Sequence, residues 1–288
     1  MKKKPDIKKI RELKRLAKEA RHLMVETLIC AGCGHPGGAF SSIDTMVALY
    51  FGVMKVDPKN PGWDKRDRFI LSKGHSSVGL YTVLHLRGFL SKEALLTFRQ
   101  DNSILCGHPD MHKVPGVEVS TGSLGHGLSI GIGMAYAAKL DKEAHRVFVL
   151  MGDGETQEGS VWEAAMAASH YKLDNLTAIV DRNMIQINGF TEDIMVLEPY
   201  KEKWKAFGWE VREIDGHNIA KITSTLKDAP FKKGKPSLII AKTVKGKGIS
   251  FMENNPEWHG KALKGGHADI AHHEVHKALG HYKDTEND

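Results

Sequence analysis

Residues 147–189 read VFVLMGDGETQEGSVWEAAMAASHYKLDNLTAIVDRNMIQING, and this stretch decides the fold. The apolar run before Gly152-Asp153-Gly154 predicts a buried strand over 146–151. A segment of helical character over 157–171 follows, and a second apolar run predicts a strand over 176–181. A strand, a helix and another strand indicate two parallel strands joined by a crossover helix. Because parallel strands end at the same edge of a sheet, we expect Asp153 and Asn183 to lie side by side.

The same alternation of strand and helix patterns continues on both sides of this stretch. Further strands are predicted at 68–72, 209–214 and 237–241, and further helices at 77–87, 125–140, 200–207 and 218–226. Such alternation predicts an α/β protein, a single three-layer domain over 1–288 with a mainly parallel sheet flanked by helices. We also expect an N-terminal amphipathic helix at about 7–30 and a C-terminal helical tail at about 267–288.

The composition is that of a soluble globular protein, with 41% hydrophobic and 26% charged residues. The chain contains no run of about 18 apolar residues, so we expect no membrane span. The three cysteines, Cys30, Cys33 and Cys106, are too few for a disulfide framework and fit a reducing cytoplasm. The formal net charge of +6 suits anionic small molecules such as phosphates.

Much of the positive charge lies in the first 21 residues, where apolar side chains recur every three to four positions. This periodicity predicts a helix with one packed face and one solvated Lys/Arg face. A basic arm that binds nucleic acid or a membrane surface is the alternative. We expect the packed helix, and therefore neither nucleic acid nor a membrane as a partner.

Asp153 and Asn183 have the chemistry of a metal site. A carboxylate and an amide oxygen can begin an octahedral Mg²⁺ site that leaves room for phosphate oxygens and water. The glycines let backbone N–H groups approach a diphosphate, and the N-terminus of the following helix favours negative charge. The strand, Gly152-Asp153-Gly154 and Asn183 together resemble thiamine-diphosphate enzymes, and the form GDGETQEGSVWEA resembles transketolases in particular.

Four histidines stand in polar, glycine-rich contexts: His35 in CGHPGG, His75 in LSKGHSS, His108 in CGHPD and His259 in EWHGKAL. Taken singly, a histidine beside glycine is more often a turn residue than a catalytic one. Together, and in this order, they match the transketolase pattern. TGSLG at 121–125 and AKTVKGKG at 241–248 match it too, so the resemblance runs from about Arg21 to Gly260.

The resemblance implies thiamine diphosphate as the cofactor, held with Mg²⁺, for which Ca²⁺ or Mn²⁺ can substitute. The implied metal ligands are Asp153, Asn183 and the backbone carbonyl of Ile185. The implied cofactor-binding residues are His75, Gly122, Ser123, Leu124, Asp153, Gly154, Glu158, Asn183, Ile185, Lys245 and His259. His35, His75, His108 and His259 are the implied catalytic residues, with His35, His108 and His259 in the substrate channel. Glu158 would also face a partner surface.

The reaction that the resemblance implies is transfer of a two-carbon ketol unit from a ketose phosphate, such as xylulose 5-phosphate, to an aldose phosphate. In the family a glutamate activates the pyrimidine ring of the cofactor, and we can assign no such glutamate here. We therefore expect an N-terminal subunit that works with a separate C-terminal subunit, carrying the pyrimidine-binding and C-terminal domains, in an α2β2 assembly. The charged tail at 283–288 is expected to be a natural terminus.

Two functional alternatives stay open. One is a related thiamine-diphosphate enzyme that acts on another sugar phosphate or on formaldehyde. The other is a non-catalytic protein that binds the cofactor or nucleic acid. Retention of all four histidines argues against the second alternative, because a binding protein has no need of substrate-channel residues.

The sequence departs from the family pattern at two positions. Cys33 stands where the family usually has serine, and it creates Cys30-Ala-Gly-Cys33. This spacing suits a redox or metal site, but we expect a helix end with two small buried side chains. Gly38 stands where some members use a serine toward the cofactor, so we expect that contact to be missing.

Overall fold

The computed structural model describes residues 6–187 and 189–284. Residues 1–5, Asn188 and 285–288 lie outside the described residues. Both ends of the predicted 1–288 domain and the end of the predicted C-terminal tail therefore also lie outside them. The centre of the described chain is a five-stranded parallel sheet with helices on both faces. The sequence-based prediction of an α/β fold with a mainly parallel sheet is therefore confirmed.

Five strands form the main sheet in the spatial order β1-β2-β3-β7-β6. They are β1 Arg68–Leu71, β2 Val147–Gly152, β3 Leu176–Arg182, β6 Glu210–Asp215 and β7 Ser237–Lys242. Every neighbouring pair is parallel, and the register places Gly152 beside Asp181 and Arg182 beside Lys242. A short antiparallel hairpin, β4 Ile185–Gln186 and β5 Gly189–Phe190, follows β3 within a segment that the sequence pattern describes only as a loop.

Ten α-helices surround the sheet in the described chain. They are α1 Ile7–Ala31, α2 Pro36–Ala48, α3 Ser77–Arg87, α4 Lys92–Leu96, α5 His126–Leu140, α6 Gly159–His170, α7 Thr191–Ile194, α8 Tyr200–Ala206, α9 Ile219–Lys227 and α10 Gly266–Asp284. A π-helical turn at Leu49–Val53 continues α2, and 3₁₀ turns occupy Gly74–Ser76, Gly154–Gln157 and Pro256–Trp258.

Alternation along the strands builds a separate hydrophobic core on each face of the sheet. Phe148 and Leu150 of β2 join the larger core with α1, α2, α3 and α9. Val147, Val149 and Met151 point to the other face and pack with α5, α6 and α8. Each fully buried aliphatic side chain of this kind contributes about 1.5–3 kcal/mol to folding. Because helices cover both faces of the sheet, polar side chains can reach a ligand only at the strand ends.

Local capping chemistry sets where several helices begin and end. The Asp6 side chain accepts the N–H of Lys9 at 3.2 Å and starts α1. Ser91 accepts the N–H of Ala94 at 3.1 Å and starts α4. Gly32, with φ of 61°, ends α1 in the left-handed conformation that glycine tolerates best.

Helix α1 packs into the protein along a stripe of side chains spaced three or four positions apart. Leu13, Ala20, Met24 and Leu28 are fully buried in the larger core, while most of the Lys and Arg side chains of α1 remain accessible. The structure therefore favours the packed helix over a basic arm. Among residues 6–187 and 189–284, no helix is both long and apolar enough to cross a membrane.

The expectation of two small buried side chains at the end of α1 is wrong for the cysteines. Cys30 is exposed and Cys33 is only half-buried, with its thiol 3.5 Å from the carbonyl oxygen of Ala31. In the last turn of α1 the buried face is formed by Thr27 and Leu28, whereas Ile29 and Cys30 are exposed.

Candidate functional site

The candidate site lies at the carboxyl edge of the main sheet. Strands β1, β2, β3 and β7 are neighbours and end there, so the residues that follow them come together although they are distant in the sequence. Lys73, Asp153, Asn183 and Lys245 each follow a different strand, and each is at most 5% exposed. Ligands of open parallel sheets bind at this edge.

A buried network centred on Asp181, near the end of β3, organises this edge. Its carboxylate accepts hydrogen bonds from Ser41 and Lys73 at 2.6 Å each, from Asn183 at 2.8 Å and from Thr243 at 2.5 Å. Burial opposes the charge, but the Lys73 ammonium and these hydrogen bonds outweigh burial and hold the pKa of Asp181 below its usual value. Sequence reasoning did not single out Asp181 or Lys73, although Lys73 lies in LSKGHSS beside His75 and Asp181 precedes Asn183 by two residues.

Asp153 immediately follows β2 and is fixed by backbone donors. Its carboxylate accepts the N–H of Gly154 at 2.8 Å and the N–H of Met184 at 2.6 Å, and lies 3.3 Å from the guanidinium of Arg182. Burial, and next the negative charge of Asp181, raise the pKa of Asp153 despite the arginine. The carboxylate is therefore short of positive charge at a fully desolvated position.

The segment 183–185 turns beside Asp153, and its residues Asn183 and Ile185 are buried. Met184 has φ of 66°, a left-handed conformation that is uncommon for a residue with a side chain and often found at functional sites. The Asn183 side-chain oxygen accepts the N–H of Ile185 at 3.1 Å, and the carbonyl of Ile185 accepts the Lys245 ammonium at 2.9 Å. The predicted neighbourhood of Asp153 and Asn183 is thus present in the fold.

These groups suit the metal that the sequence implies. Asp153, Asn183 and the carbonyl of Ile185 offer a carboxylate, an amide oxygen and a backbone oxygen, the hard donors that Mg²⁺ and Ca²⁺ select. The raised pKa of Asp153 shows that its charge is incompletely compensated, and a divalent cation would supply what is missing. Lys245, at the carbonyl of Ile185, is a cation already directed at this group of oxygens.

Each of the four predicted histidines is positioned by a different piece of structure. His35 caps the start of α2, and His75 lies in the 3₁₀ turn between β1 and α3. His259 ends the turn 256–258. His108 lies in an irregular loop, and its backbone carbonyl accepts a hydrogen bond from the hydroxyl of Tyr81 at 3.0 Å.

The fold brings these four histidines into one cluster around His35. The ring centre of His35 is 5.5 Å from that of His75, 6.4 Å from that of His108 and 5.7 Å from that of His259. His75 and His259 are 5.0 Å apart. His108 is exposed and the other three are half-buried, so the cluster opens to solvent on the side of His108. We call these four residues the sheet-edge cluster.

All four imidazoles of the sheet-edge cluster are held neutral. Burial, and next the charge of Arg99, lower the pKa of His35 and of His108. Burial and Lys73 lower the pKa of His75 well below its usual value, and burial and Lys245 lower the pKa of His259 to about 3. A neutral imidazole donates from one nitrogen and accepts at the other, which suits recognition of hydroxyl and carbonyl groups.

Lys245 joins the histidines to the oxygen donors. Its ammonium lies 2.9 Å from the Nδ1 atom of His259 and 2.9 Å from the carbonyl of Ile185. Burial lowers the pKa of Lys245 to about 8, although the charge of Asp153 favours protonation. With Nδ1 accepting from the ammonium, the proton of the neutral His259 ring is on Nε2, free for another partner.

Two buried polar atoms in the site have no hydrogen-bond partner among the described residues: Nδ1 of His35 and the hydroxyl oxygen of Ser76. A Cβ atom at Gly38 would stand 2.8 Å from that same hydroxyl. Glycine at position 38, where some family members have serine, therefore leaves room for the hydroxyl of Ser76. Buried polar atoms without partners mark hydrogen-bonding capacity that a bound ligand can use.

The segment 121–125 borders the cluster on its open side. Gly122 packs against the ring of His108, where a Cβ atom would come within 3.2 Å of Cδ2. Residues 120–123, His126, Gly127 and Ile130 line an open depression of about 270 Å³. Ser123 is exposed and Leu124 is half-buried. The predicted cofactor contacts at 122–124 thus form an open wall and not a closed pocket.

The two glutamates of the GDGETQEG motif have different positions. Glu158, predicted to face a partner, is exposed at the N-cap of α6. Glu155 is buried, and its carboxylate accepts a short hydrogen bond from Ser72 and the N–H groups of Gly125 and Gly152 at 3.0 Å each. Burial raises the pKa of Glu155. Glu155 therefore links the ends of β1 and β2 to the start of α5. The sequence motif did not reveal this structural role.

Comparison with known proteins places this arrangement in a family. Residues 12–285 match the family described as transketolase, thiamine diphosphate binding domain. The chain is 50% identical over 239 residues to one of the subunits of an apulose-4-phosphate transketolase from Phocaeicola vulgatus, covering 83% of this chain and 85% of that protein. It is 44% identical over 252 residues to the 6-deoxy-6-sulfo-D-fructose transketolase subunit of a Clostridium species, covering 88% of this chain and 92% of that protein.

The fold is also similar to solved structures. The transketolase of Campylobacter jejuni superposes with a TM-score of 0.83 at 35% identity, covering 94% of this chain and 48% of that one. The chain therefore spans about half the length of that solved relative, and most of the length of the two subunits named above.

Proposed function

The chain belongs to the transketolase family, as its thiamine-diphosphate-binding part, and we propose that it is the N-terminal subunit of a two-subunit transketolase. One observation carries the proposal. At a single edge of the sheet, the three oxygen donors of a metal site adjoin four neutral histidines, and Lys245 contacts both groups. Neither group alone would distinguish catalysis from simple binding.

Thiamine diphosphate, when bound, supplies the nucleophilic carbon that cleaves the bond next to a ketose carbonyl. Asp153, Asn183 and the carbonyl of Ile185 would hold its Mg²⁺ ion. Lys245, His75 and His259 would contact the diphosphate. The buried Asp181 network supports these residues, because it fixes Lys73 and Asn183 at the strand ends.

His35, His108 and His259 would orient the sugar. Their lowered pKa values keep them uncharged near neutral pH, so each offers one donor and one acceptor to the hydroxyls and the carbonyl of the substrate. A charged imidazole would offer donors only. Within the part of the chain that the structure describes, no hydrogen-bond partner reaches Nδ1 of His35, which supports a direct role in binding.

The open wall at 122–124 supports the need for a partner subunit. Ser123 and Ile130 line the same open depression, and the side chain of Glu158 lies next to Gly125. Tyr136 on α5 and Met166 on α6 add exposed apolar side chains, 38% and 59% exposed. Exposed apolar side chains grouped in this way mark interaction surfaces. We propose that a C-terminal subunit with the pyrimidine-binding and C-terminal domains covers the site in an α2β2 complex, and that its glutamate activates the cofactor.

The relatives are named for different donor sugars. Our first candidate reaction is ketol transfer from xylulose 5-phosphate to ribose 5-phosphate. The relative at 50% identity is named for apulose 4-phosphate and that at 44% for a sulfonated fructose. We therefore keep, as a second candidate, a transketolase for another phosphorylated or sulfonated ketose. The three free cysteines fit a cytoplasmic location for either enzyme.

Reconstitution tests the proposal. The 288-residue chain is purified alone and together with a matching C-terminal subunit, supplied with thiamine diphosphate and Mg²⁺, and assayed for ketol transfer from xylulose 5-phosphate, apulose 4-phosphate and 6-deoxy-6-sulfofructose. We expect activity from the complex only, and a single preferred donor. Full activity of the lone chain would contradict the two-subunit proposal, and an inactive complex with every donor would contradict transketolase activity.

A matched pair of variants assigns the activity to the sheet-edge cluster. His35→Asn retains a side chain that can donate and accept but loses the imidazole, and should lower kcat/KM by about 10²–10⁴-fold. His273→Asn, an exposed histidine on α10, should leave kcat/KM unchanged. Equal losses in the two variants would remove the support for a substrate role of His35.

A further inference from the structure

A second group of histidines lies away from the sheet edge, between the first and last helices of the described chain. The possible ligand atoms of His22, Glu26 and His272 all lie within 4.8 Å of one another. Within residues 6–187 and 189–284, this is the one group of three or more His, Cys, Asp or Glu side chains so arranged. His22 and Glu26 belong to α1, and His272 belongs to α10. We call these three residues the helix cluster.

Helical spacing explains why the helix cluster forms. His22 and Glu26 are one turn apart on α1 and share a face, and His272 and His276 stand in the same relation on α10. The ring centre of His276 is 5.9 Å from that of His22 and 6.1 Å from that of His272, and the rings of His272 and His276 are nearly parallel, 7° apart. Two helices therefore present ligand-bearing faces to each other.

The local geometry is close to that of a metal site. The Nε2 atom of His22 and a carboxylate oxygen of Glu26 are 3.3 Å apart. Two ligands that each lie about 2.0–2.1 Å from a tetrahedral Zn²⁺ ion are themselves separated by about 3.3 Å. His272 is exposed, and its nearest ligand atom lies within 4.8 Å of those of His22 and Glu26. The Nδ1 atom of His22 is inaccessible and has no hydrogen-bond partner among the described residues, so no hydrogen bond at that nitrogen holds the ring in another orientation.

The chemistry of these side chains selects the class of metal. Two imidazoles and one carboxylate suit Zn²⁺ and the neighbouring divalent transition metals, whereas Mg²⁺ prefers oxygen ligands alone. The second oxygen of Glu26 lies 3.2 Å from the ammonium of Lys92, which is half exposed. Glu26 can keep this ion pair through one oxygen while the other binds the metal.

We propose that His22, Glu26 and His272 bind a transition-metal ion such as Zn²⁺, with His276 beside them, and that the ion fastens α10 to α1. Helix α10 also packs through a stripe of buried side chains, Ala268, Ala271 and Val275, and through His267, whose ring centre is 4.7 Å from that of Phe251. The polar contacts of Lys18 with the carbonyl of Ala278 and of Glu274 with the N–H of Ser250 add to that stripe. The metal would be structural, since the helix cluster shares no residue with the sheet-edge cluster.

Zinc titration of the tag-free, full-length chain tests this inference. After removal of bound metal with a chelator, calorimetry should show one equivalent of Zn²⁺ bound with micromolar or tighter affinity. At about a hundredfold excess of Zn²⁺ over Kd, the Tm should rise by about 4 °C. The same concentration of Mg²⁺ should leave the Tm unchanged.

Matched variants assign the zinc to the helix cluster. His272→Ala and Glu26→Gln should each weaken Zn²⁺ binding at least about tenfold, with unchanged circular dichroism in the absence of metal. His273→Ala removes the adjacent exposed imidazole of α10 and should bind Zn²⁺ like the unaltered chain, as should His35→Asn at the sheet edge. Absence of binding, equal affinity in His272→Ala, or an equal loss in His273→Ala or His35→Asn would each overturn the proposal.

Discussion

The sheet-edge cluster and the helix cluster use the same side chain in different surroundings. At the sheet edge, the charged groups that act on the histidines after burial are cations: Lys73 on His75, Lys245 on His259 and Arg99 on His35. In the helix cluster, burial lowers the pKa of His22 but Glu26 opposes the change. Imidazoles among cations favour an anionic ligand such as a diphosphate, whereas imidazoles beside a carboxylate favour a metal cation. The neighbours, and not the histidines, distinguish the two clusters.

The largest expected effect comes from removing a buried charge at the sheet edge. Asp181→Asn leaves the ammonium of Lys73 buried without its anionic partner, and should lower the free energy of unfolding by about 3–5 kcal/mol. Glu26→Gln in the more accessible helix cluster, measured without metal, should change it by less than about 1 kcal/mol. Urea denaturation measures both, and equal losses would show that the sheet edge around Asp181 and the helix cluster do not differ in this respect.

A smaller effect tests cation binding at the sheet edge. Asp153→Ala removes the one anionic donor of the proposed magnesium site, and should raise the Kd for thiamine diphosphate in the presence of Mg²⁺ by about 100-fold. His272→Ala serves as the control and should leave that Kd unchanged. The measurement is a titration of the assembled complex. Unchanged affinity in Asp153→Ala would contradict the placement of the metal.

Acid should destabilise the protein through the sheet-edge histidines. The pKa of buried His75 lies well below the value of about 6.5 in the unfolded chain, so below pH 6.5 only the unfolded chain takes up the proton. The free energy of unfolding should therefore fall as the pH drops below 6.5, by about 1 kcal/mol per pH unit for this residue. Asp153 and Glu155 act in the opposite direction, because their raised pKa values let the folded state take up protons first.

Comparison with a variant isolates the contribution of His75. Urea denaturation at pH 7.5, 6.5 and 5.5 should give a shallower decline for His75→Asn than for the unaltered chain, since the aspartate and glutamate contributions are common to both. His272→Ala should retain the full decline, because His272 is exposed. An identical decline in His75→Asn and the unaltered chain would rule out this origin of acid sensitivity.

The smallest effect concerns the helix cluster without its metal. His272→Ala removes an exposed ring and should change the free energy of unfolding by no more than about 0.5 kcal/mol in the presence of a chelator. The same variant should lose the stabilisation by Zn²⁺. A large loss in chelator would mean that His272 packs for stability by itself, and would weaken the contrast between the two clusters.

Much of the fold follows from local patterns. Periodicity predicts the five strands of the main sheet within one or two residues, and it predicts α3, α5, α8 and α9 within one residue. The four histidines and the three oxygen donors were also recognisable, because each is embedded in a short motif. Their roles in binding and catalysis stay predictions, although the fold gathers them at one edge.

Local patterns could not predict the contacts that act across the chain. The sequence does not reveal that β7 lies between β3 and β6, yet this order is what brings Thr243 and Lys245 to Asp181 and Ile185. The exposed Cys30 was wrongly expected to be buried, because small apolar residues carry no signal of which helix face meets the core.

The sequence by itself determined the five strands of the main sheet, most of the longer helices and the motif residues of the sheet edge, since propensity and motif act over a few residues. Only the tertiary structure decided the buried pair of Lys73 and Asp181, the position of Glu155 and the meeting of His22 with His272. These contacts join residues that packing alone brings together. Burial of apolar surface has no preferred direction and is compatible with many arrangements of helices and strands. Which polar groups meet therefore depends on the whole fold.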